Sequence, residues 1–309
     1  MKSSNIGGQA VMEGIMMRSG DQYSIGVRKP DGEIEVKVEP YRSWAKDSSI
    51  WKLPVFRGVA SFFESLVVGI RCLMYSASFI EDEEEDAKKP GKEKTEEQKE
   101  KEEKWLMYGT MTFSVIFSIA LFIMLPYFLA GFLRNVTTSE GVIAVAEACV
   151  RMILFLGYLV LISGMKDIQR VFMYHGAEHK CINCVEHGLE LNVENVMKSS
   201  REHKRCGTSF LLFVMIVSII FFLFIRVSSP VLRVVIRLLL MPVIAGVSYE
   251  IIRLAGKSDN KIVALLSKPG LMLQHLTTRE PEPEMAEVAI AAVEAVFDWL
   301  SLIHISEPT

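Results

Sequence analysis

The sequence predicts a mainly α-helical integral membrane protein, with about four transmembrane helices and a small cytosolic mixed part. That part comprises an N-terminal β-hairpin, a helical loop carrying an HxxEH motif and a C-terminal amphipathic helix. Three observations carry the prediction. First, residues 106–133 and 208–225 hold no charge, and each run can cross a hydrocarbon core of about 30 Å. Residues 141–163 and 230–254 are nearly as apolar but carry ionisable side chains. Second, Ile25/Val27 and Ile34/Val36/Val38 alternate at strand period around Lys29-Pro30-Asp31-Gly32, and Asp-Gly between alternating runs signals a hairpin. Third, the segment between the second and third spans is polar and carries two histidines and a glutamate within five residues.

Composition agrees with a membrane protein: half of the 309 residues are hydrophobic and mean hydropathy is +0.28. A formal net charge of -3 and the lack of a basic stripe with interleaved aromatics argue against nucleic acid as a partner. Five cysteines, an odd number, do not make a disulfide framework and are read as reduced thiols.

Residues 1–54 are expected to form an N-terminal cytosolic β-containing segment. Within it, residues 5–18 read as a strand and turn, and Glu13 interrupts the apolar run, so no signal peptide is expected there. Residues 55–80 are apolar on most faces but carry Arg57, Glu64 and Arg71, which favours an interfacial or re-entrant helix over a fifth span. Residues 81–104 are almost wholly charged and read as a solvated linker. The first two spans fall within 105–163, where Glu147 and Arg151, spaced i, i+4, can neutralise each other.

Residues 164–207 form the loop with the HxxEH motif. A helix is predicted from about Lys166 to His187, stopped by Gly188, and a second from Val193 to Lys198, begun by Asn192. Cations concentrate here: Lys166, Arg170, Lys180, Lys198, Arg201, Lys204 and Arg205, against one in each of the other two short loops. The positive-inside rule therefore places this loop and both termini in the cytosol. The third and fourth spans lie within 208–255. Residues 256–299 form a cytosolic C-terminal segment with a basic juxtamembrane stretch suited to anionic headgroups, a turn at Pro269-Gly270, and a helix whose Met285, Val288, Ala289, Ala292 and Val296 share one stripe. Residues 300–309, LSLIHISEPT, resemble the conceptual translation of a sequencing-library adaptor; they, and His304 with them, are expected to be foreign, and the natural C-terminus truncated.

The chemistry sits in Tyr174-His175-Gly176-Ala177-Glu178-His179-Lys180. On a helix, His175 and His179 stack one turn apart with Glu178 beside them. Two neutral imidazoles at i, i+4 can ligate one divalent ion, and the glutamate can be a third ligand or take a proton from water. The alternative is a solvated helix face. Glu186 shares the stripe as a further candidate ligand. His203 and Cys206, spaced HxxC, can close a metal site against the helix or form a polar collar on the third span. Glu250 at the mouth of the fourth span is a distant third ligand or the partner of Arg253. Cys181 and Cys184 point away from the stripe, and His275 reads as a surface residue.

The motifs GGQAVMEGIMMR (from Gly7), YHGAEHK (from Tyr174), RCGTSF (from Arg205), GVSYEIIR (from Gly246) and LTTREP (from Leu276), in this order, resemble the YqhQ-like family of bacterial membrane proteins. That family is described as a domain of unknown function and a predicted metal-dependent enzyme. The resemblance implies an integral membrane protein of the bacterial inner membrane and a metal role for His175, Glu178 and His179. Cys181, Cys184 and His275 lie outside the motifs.

Two functions of different class are expected from these features. One is a metal-dependent hydrolase at the cytosolic membrane face, with His175 and His179 holding Zn²⁺ or a similar divalent ion and Glu178 as general base or ligand. Glu250, Glu13 or Glu186 would complete the shell, and the substrate would be a membrane lipid or a membrane-associated peptide. The other is a non-enzymatic scaffold that holds a membrane-protein partner, or a small transporter, with the histidines as a structural metal clip or polar network. Few intramembrane charges argue against an ion-coupled transporter.

Overall fold

A computed structural model describes residues 4–43, 49–87, 96–225, 227, 229–257 and 260–300. The adaptor-like tail from residue 301, the middle of the charged linker (88–95) and part of the basic juxtamembrane stretch (258–259) lie outside them. The chain divides into two compact units, one of Met1–Glu83, Leu161–Val217 and Pro242–Thr309, the other of Glu84–Val160 and Ser218–Met241.

The first unit is built on a four-stranded antiparallel meander, β1 (Gly7–Val11), β2 (Gly14–Ser19), β3 (Gln22–Arg28) and β4 (Ile34–Pro40). The Asp-Gly hairpin joins β3 and β4, with Gly32 at φ 88° and Arg28 paired with Ile34. The strand and turn expected at residues 5–18 are the hairpin of β1 and β2. Strand period 2 sends Ile15 and Met17 to one face of the sheet and Met16 to the other, and all three are buried. The first face packs on α5 (Lys166–Glu186) and α10 (Pro283–Glu294); the second packs on α1 (Phe56–Ala87) through Cys72 and Val68. Gly14 is required where β2 meets β3, since a Cβ there would lie 2.3 Å from the Gly26 carbonyl oxygen.

Helix α5 runs as predicted and stops at Gly188, whose φ is 70°. Asn192 then caps α6 (Val193–Lys198), its Oδ1 accepting from the Asn195 N–H at 2.9 Å. The apolar stripe of α10 buries Met285, Val288, Ala289 and Ala292 against Tyr174, Cys181 and Ile182 of α5. At roughly 1.5–3 kcal/mol for each large side chain buried, this cluster is the main stabilising layer under the histidine helix. Cys181 and Cys184 belong to it, and burial pushes both thiols above their ordinary range. They are core residues.

One expected turn is absent. Helix α9 (Lys261–Thr277) runs straight through Pro269 and Gly270. Packing outweighs the helix-breaking pair: a Cβ on Gly270 would lie 2.9 Å from Ser209 Oγ, so the glycine lets the helix lie flat against the start of the third predicted span.

Among the described residues, five helices are long and apolar enough to cross a membrane, one more than expected: Phe56–Ile80, Tyr108–Asn135, Glu140–Ser163, Gly207–Phe224 and Val231–Gly256. The addition is the apolar part of α1, residues 56–80, whose charges argued for an interfacial helix. Its charges have distant partners, Arg57 with Glu250 and Glu64 with Tyr41 and Ser43 (3.0 Å), which the local sequence does not display.

In the second unit, α2 (Glu96–Ile119) passes through a π-helical turn at Ala120–Met124 into α3 (Leu125–Gly131). Pro126 has no N–H for the carbonyl four residues back, and that carbonyl, of Phe122, instead accepts from Arg151 Nε at 3.2 Å. Arg151 lies on α4 (Glu140–Ser163) and pairs with Glu147 at 2.8 Å, as expected from the i, i+4 spacing. Arg237, on α8 (Pro230–Lys257), joins the same carboxylate at 2.5 Å, and both guanidinium groups lie 4.8 Å from the Phe222 ring centroid of α7 (Gly207–Phe224).

Candidate metal centre

The centre is assembled in the first unit from α5, the segment 199–206 and the end of α9. One helical turn sets His175 and His179 with ring centroids 4.4 Å apart. Cys206, immediately before α7, brings Sγ to 3.3 Å from His175 Nε2. One donor atom from each of His175, His179 and Cys206 lies within 4.8 Å of the others.

The imidazoles are oriented by main-chain carbonyls. His175 Nδ1 donates to Thr277 O at 2.8 Å, and His179 Nδ1 donates to Arg201 O at 2.5 Å. Both rings thus hold the proton on Nδ1 and present the Nε2 lone pair, the arrangement that ligating histidines adopt. Burial lowers the pKa of His179, which keeps the ring neutral and able to ligate. The Thr208 N–H donates to Cys206 Sγ at 3.3 Å. The donor set, two imidazoles and a thiol, fits Zn²⁺ with one position left for a non-protein ligand.

Several contacts hold the carbonyl-bearing segments in place. Asn183 Nδ2 donates to Ser200 O at 2.7 Å and Glu202 O at 2.9 Å. The fully buried Gln274 accepts from the His203 N–H at 2.9 Å and donates to His203 O at 2.8 Å and Ser209 Oγ at 2.9 Å. Gly176 lets the Thr278–Pro281 segment cross α5, because a Cβ there would lie 2.0 Å from Arg279 O.

Glu178 is buried beside the trio, though not among its donors. Burial raises its carboxyl to about 7, against the lowering effects of the neighbouring His175 and a hydrogen bond from the Gly8 main chain. A Cβ on Gly8 would lie 2.8 Å from the Glu178 carboxyl carbon, so the glycine of β1 makes this approach feasible. Both Glu178 and His175 line a cavity of about 760 Å³, walled also by Ser61 of α1, Leu211 of α7 and Tyr249 of α8.

The other candidates are not among the trio of donors. Glu250 is bound by Arg57, with Nε at 2.6 Å, and Arg253 stands farther off at 3.9 Å. Glu13, at φ 48° in the β1–β2 turn, is held by Arg170 at 2.5 and 2.6 Å and by the Tyr174 hydroxyl at 3.3 Å, and so clasps the hairpin to α5. Glu186 accepts from the Ser4 N–H at 2.8 Å, Ser4 Oγ at 2.9 Å and Arg205. His203 faces Glu186, with Nε2 at 3.5 Å from its carboxylate, and its ring centroid is 5.8 Å from that of His179. His275 is exposed and pairs with Glu202 at 3.0 Å. Sequence reasoning missed Gly8, Asn183, Gln274 and the carbonyls of Arg201 and Thr277; of these, Gly8 and Thr277 lie inside quoted motifs.

The family described as protein of unknown function (DUF1385) matches residues 53–299. A Bacillus subtilis (strain 168) protein, called uncharacterized protein YqhQ, is 38% identical over 303 residues, covering 97% of this chain and 94% of the relative. No solved structure matches the chain.

Proposed function

The chain belongs to this DUF1385 family of unknown function, and on that premise we propose that it is a metal-dependent hydrolase at the cytosolic face of the bacterial inner membrane. One observation carries the reading: three donor side chains converge, and the two imidazoles among them spend their Nδ1 protons on main-chain carbonyls. His175, His179 and Cys206 would hold one Zn²⁺ or similar divalent ion, which when bound supplies Lewis-acid activation of water or of a substrate oxygen.

Glu178 is the general base. A carboxyl held at about 7 can accept a proton from water near neutral pH and return it to a leaving group. The Gly8 hydrogen bond orients it toward the cavity. A membrane lipid or membrane-associated substrate is supported by the cavity walls, three of which come from helices apolar and long enough to cross a bilayer. The bilayer is thus the partner this reading requires.

The test is metal content per chain of detergent-purified protein. One equivalent in wild type, lost in His175→Ala/His179→Ala and reduced in Cys206→Ser, is the expected result; absence of metal from wild type purified without chelator ends the reading. Glu178→Gln should keep the metal and lose turnover by roughly 10²–10⁴-fold. Turnover untouched by Glu178→Gln would remove the general-base assignment, and bound metal without any turnover would favour the structural-clip scaffold.

A further inference from the structure

We propose that the cavity beside the metal centre binds a phosphate group carried by an amphiphile, with Arg18, Arg205 and Arg253 as its cationic wall. The inference rests on reading this cavity as the substrate site, and deepens that reading to a substrate class.

The three arginines come from β2, from the segment before α7 and from the last turns of α8, and all line the same cavity. Glu178 is the one acidic side chain among the described lining residues. The cations are held in place from behind. Arg205 is gripped by Glu186, itself anchored by Ser4, and its stem packs on Gly256, where a Cβ would lie 2.8 Å from Arg205 Cγ. Arg18 lies 3.9 Å over the Tyr41 ring, and Arg253 Nη1 lies 3.9 Å from Glu250. Two of the three already meet a carboxylate, which holds their charge in place, and an anion in the cavity would add hydrogen bonds to the remaining N–H groups of the forks. Planar guanidinium forks match phosphate oxygens bidentately, and a phosphate, with several oxygens, can engage more than one fork where a carboxylate is satisfied by one.

The rest of the wall accounts for the apolar part of the ligand. Met16, Val171, Phe172 and Leu211 also line the cavity, and Leu211 lies in the first turns of a candidate span. A soluble phosphoester would leave these side chains unused. A phosphate with acyl or other hydrocarbon attached covers both surfaces.

The experiment is calorimetric titration of the full chain in uncharged detergent with dihexanoyl phosphatidate, dihexanoylglycerol and inorganic phosphate. Phosphatidate should bind at least about tenfold more tightly than dihexanoylglycerol, and Arg18→Gln/Arg253→Gln should remove about tenfold or more of that affinity. Arg253→Lys, which keeps charge but not the fork, should bind phosphatidate between wild type and Arg253→Gln. Inorganic phosphate binding as tightly as phosphatidate would support the phosphate site and assign it to a soluble phosphoester. Equal affinity for dihexanoylglycerol, no phosphate-dependent binding, or an unaffected double variant would overturn the proposal. A wild-type chain without metal that still binds phosphatidate would end the metal reading and leave this one standing; a metal-loaded chain that ignores phosphatidate would do the reverse.

Discussion

Two carboxylates on one helix, Glu178 and Glu186, experience opposite environments two turns apart. Burial dominates at Glu178 and raises it to about 7. At Glu186 burial also raises, but hydrogen bonds from His203 and Ser4 and the charge of Arg205 outweigh it and hold the carboxyl at about 2. Because its folded pKa lies below its unfolded value of 4.5, the stabilisation from Glu186 is present above that pH and is lost as pH falls toward about 2. The amount is on the order of 3 kcal/mol. Thermal midpoints in detergent should therefore fall more steeply for wild type than for Glu186→Gln across this acid range, while at pH 7 the variant should be the less stable protein. Parallel curves would remove Glu186 from the account. At this scale the ligand types were readable, since His175, Glu178 and His179 form a local pattern. The carbonyls that orient the rings were not, because any residue supplies one.

The elements show where local patterns suffice. The Asp-Gly hairpin, the Asn192 cap, the Gly188 stop and the α10 stripe all rest on signals a few residues wide, and all appear in the structure. The break expected at Pro269-Gly270 fails for the complementary reason: the contact of Gly270 with Ser209 outweighs the local tendency. Gly176 is the sharpest test at this scale. Gly176→Ala must move the Thr278–Pro281 crossing, at a cost of about 1–3 kcal/mol. Thr277 O would move with it, so metal affinity should drop about 10–100-fold although no ligand has changed. Unaltered metal retention in a folded Gly176→Ala protein would show that the Thr277 contact does not orient His175. Met285→Ala, under the same helix, should cost about 2–5 kcal/mol in stability by leaving a cavity, read as a lower thermal midpoint.

Across the whole molecule, legibility ends at long-range pairing. Glu13 and Glu250 were candidate ligands as acidic residues, Glu250 because it stands at the mouth of a span; their partners, Arg170 and Arg57, lie 157 and 193 residues away in the chain. The same limit hid the partner of Arg57, Glu250. In the second unit, Arg237 reaches Glu147 across 90 residues. Glu147→Gln would leave two arginines without their shared anion, and a fall in the amount of intact protein recovered from membranes is expected; normal recovery would show that the triad is dispensable. The triad also has a consequence for biogenesis. Translation delivers α4 first, carrying Glu147 already matched by Arg151, so that helix can enter lipid as a nearly neutral rod. Helix α8 emerges later with an arginine whose counter-ion waits on a neighbour, and it cannot settle until α4 is in place. A charge pattern in the finished fold thereby becomes a timetable for its insertion.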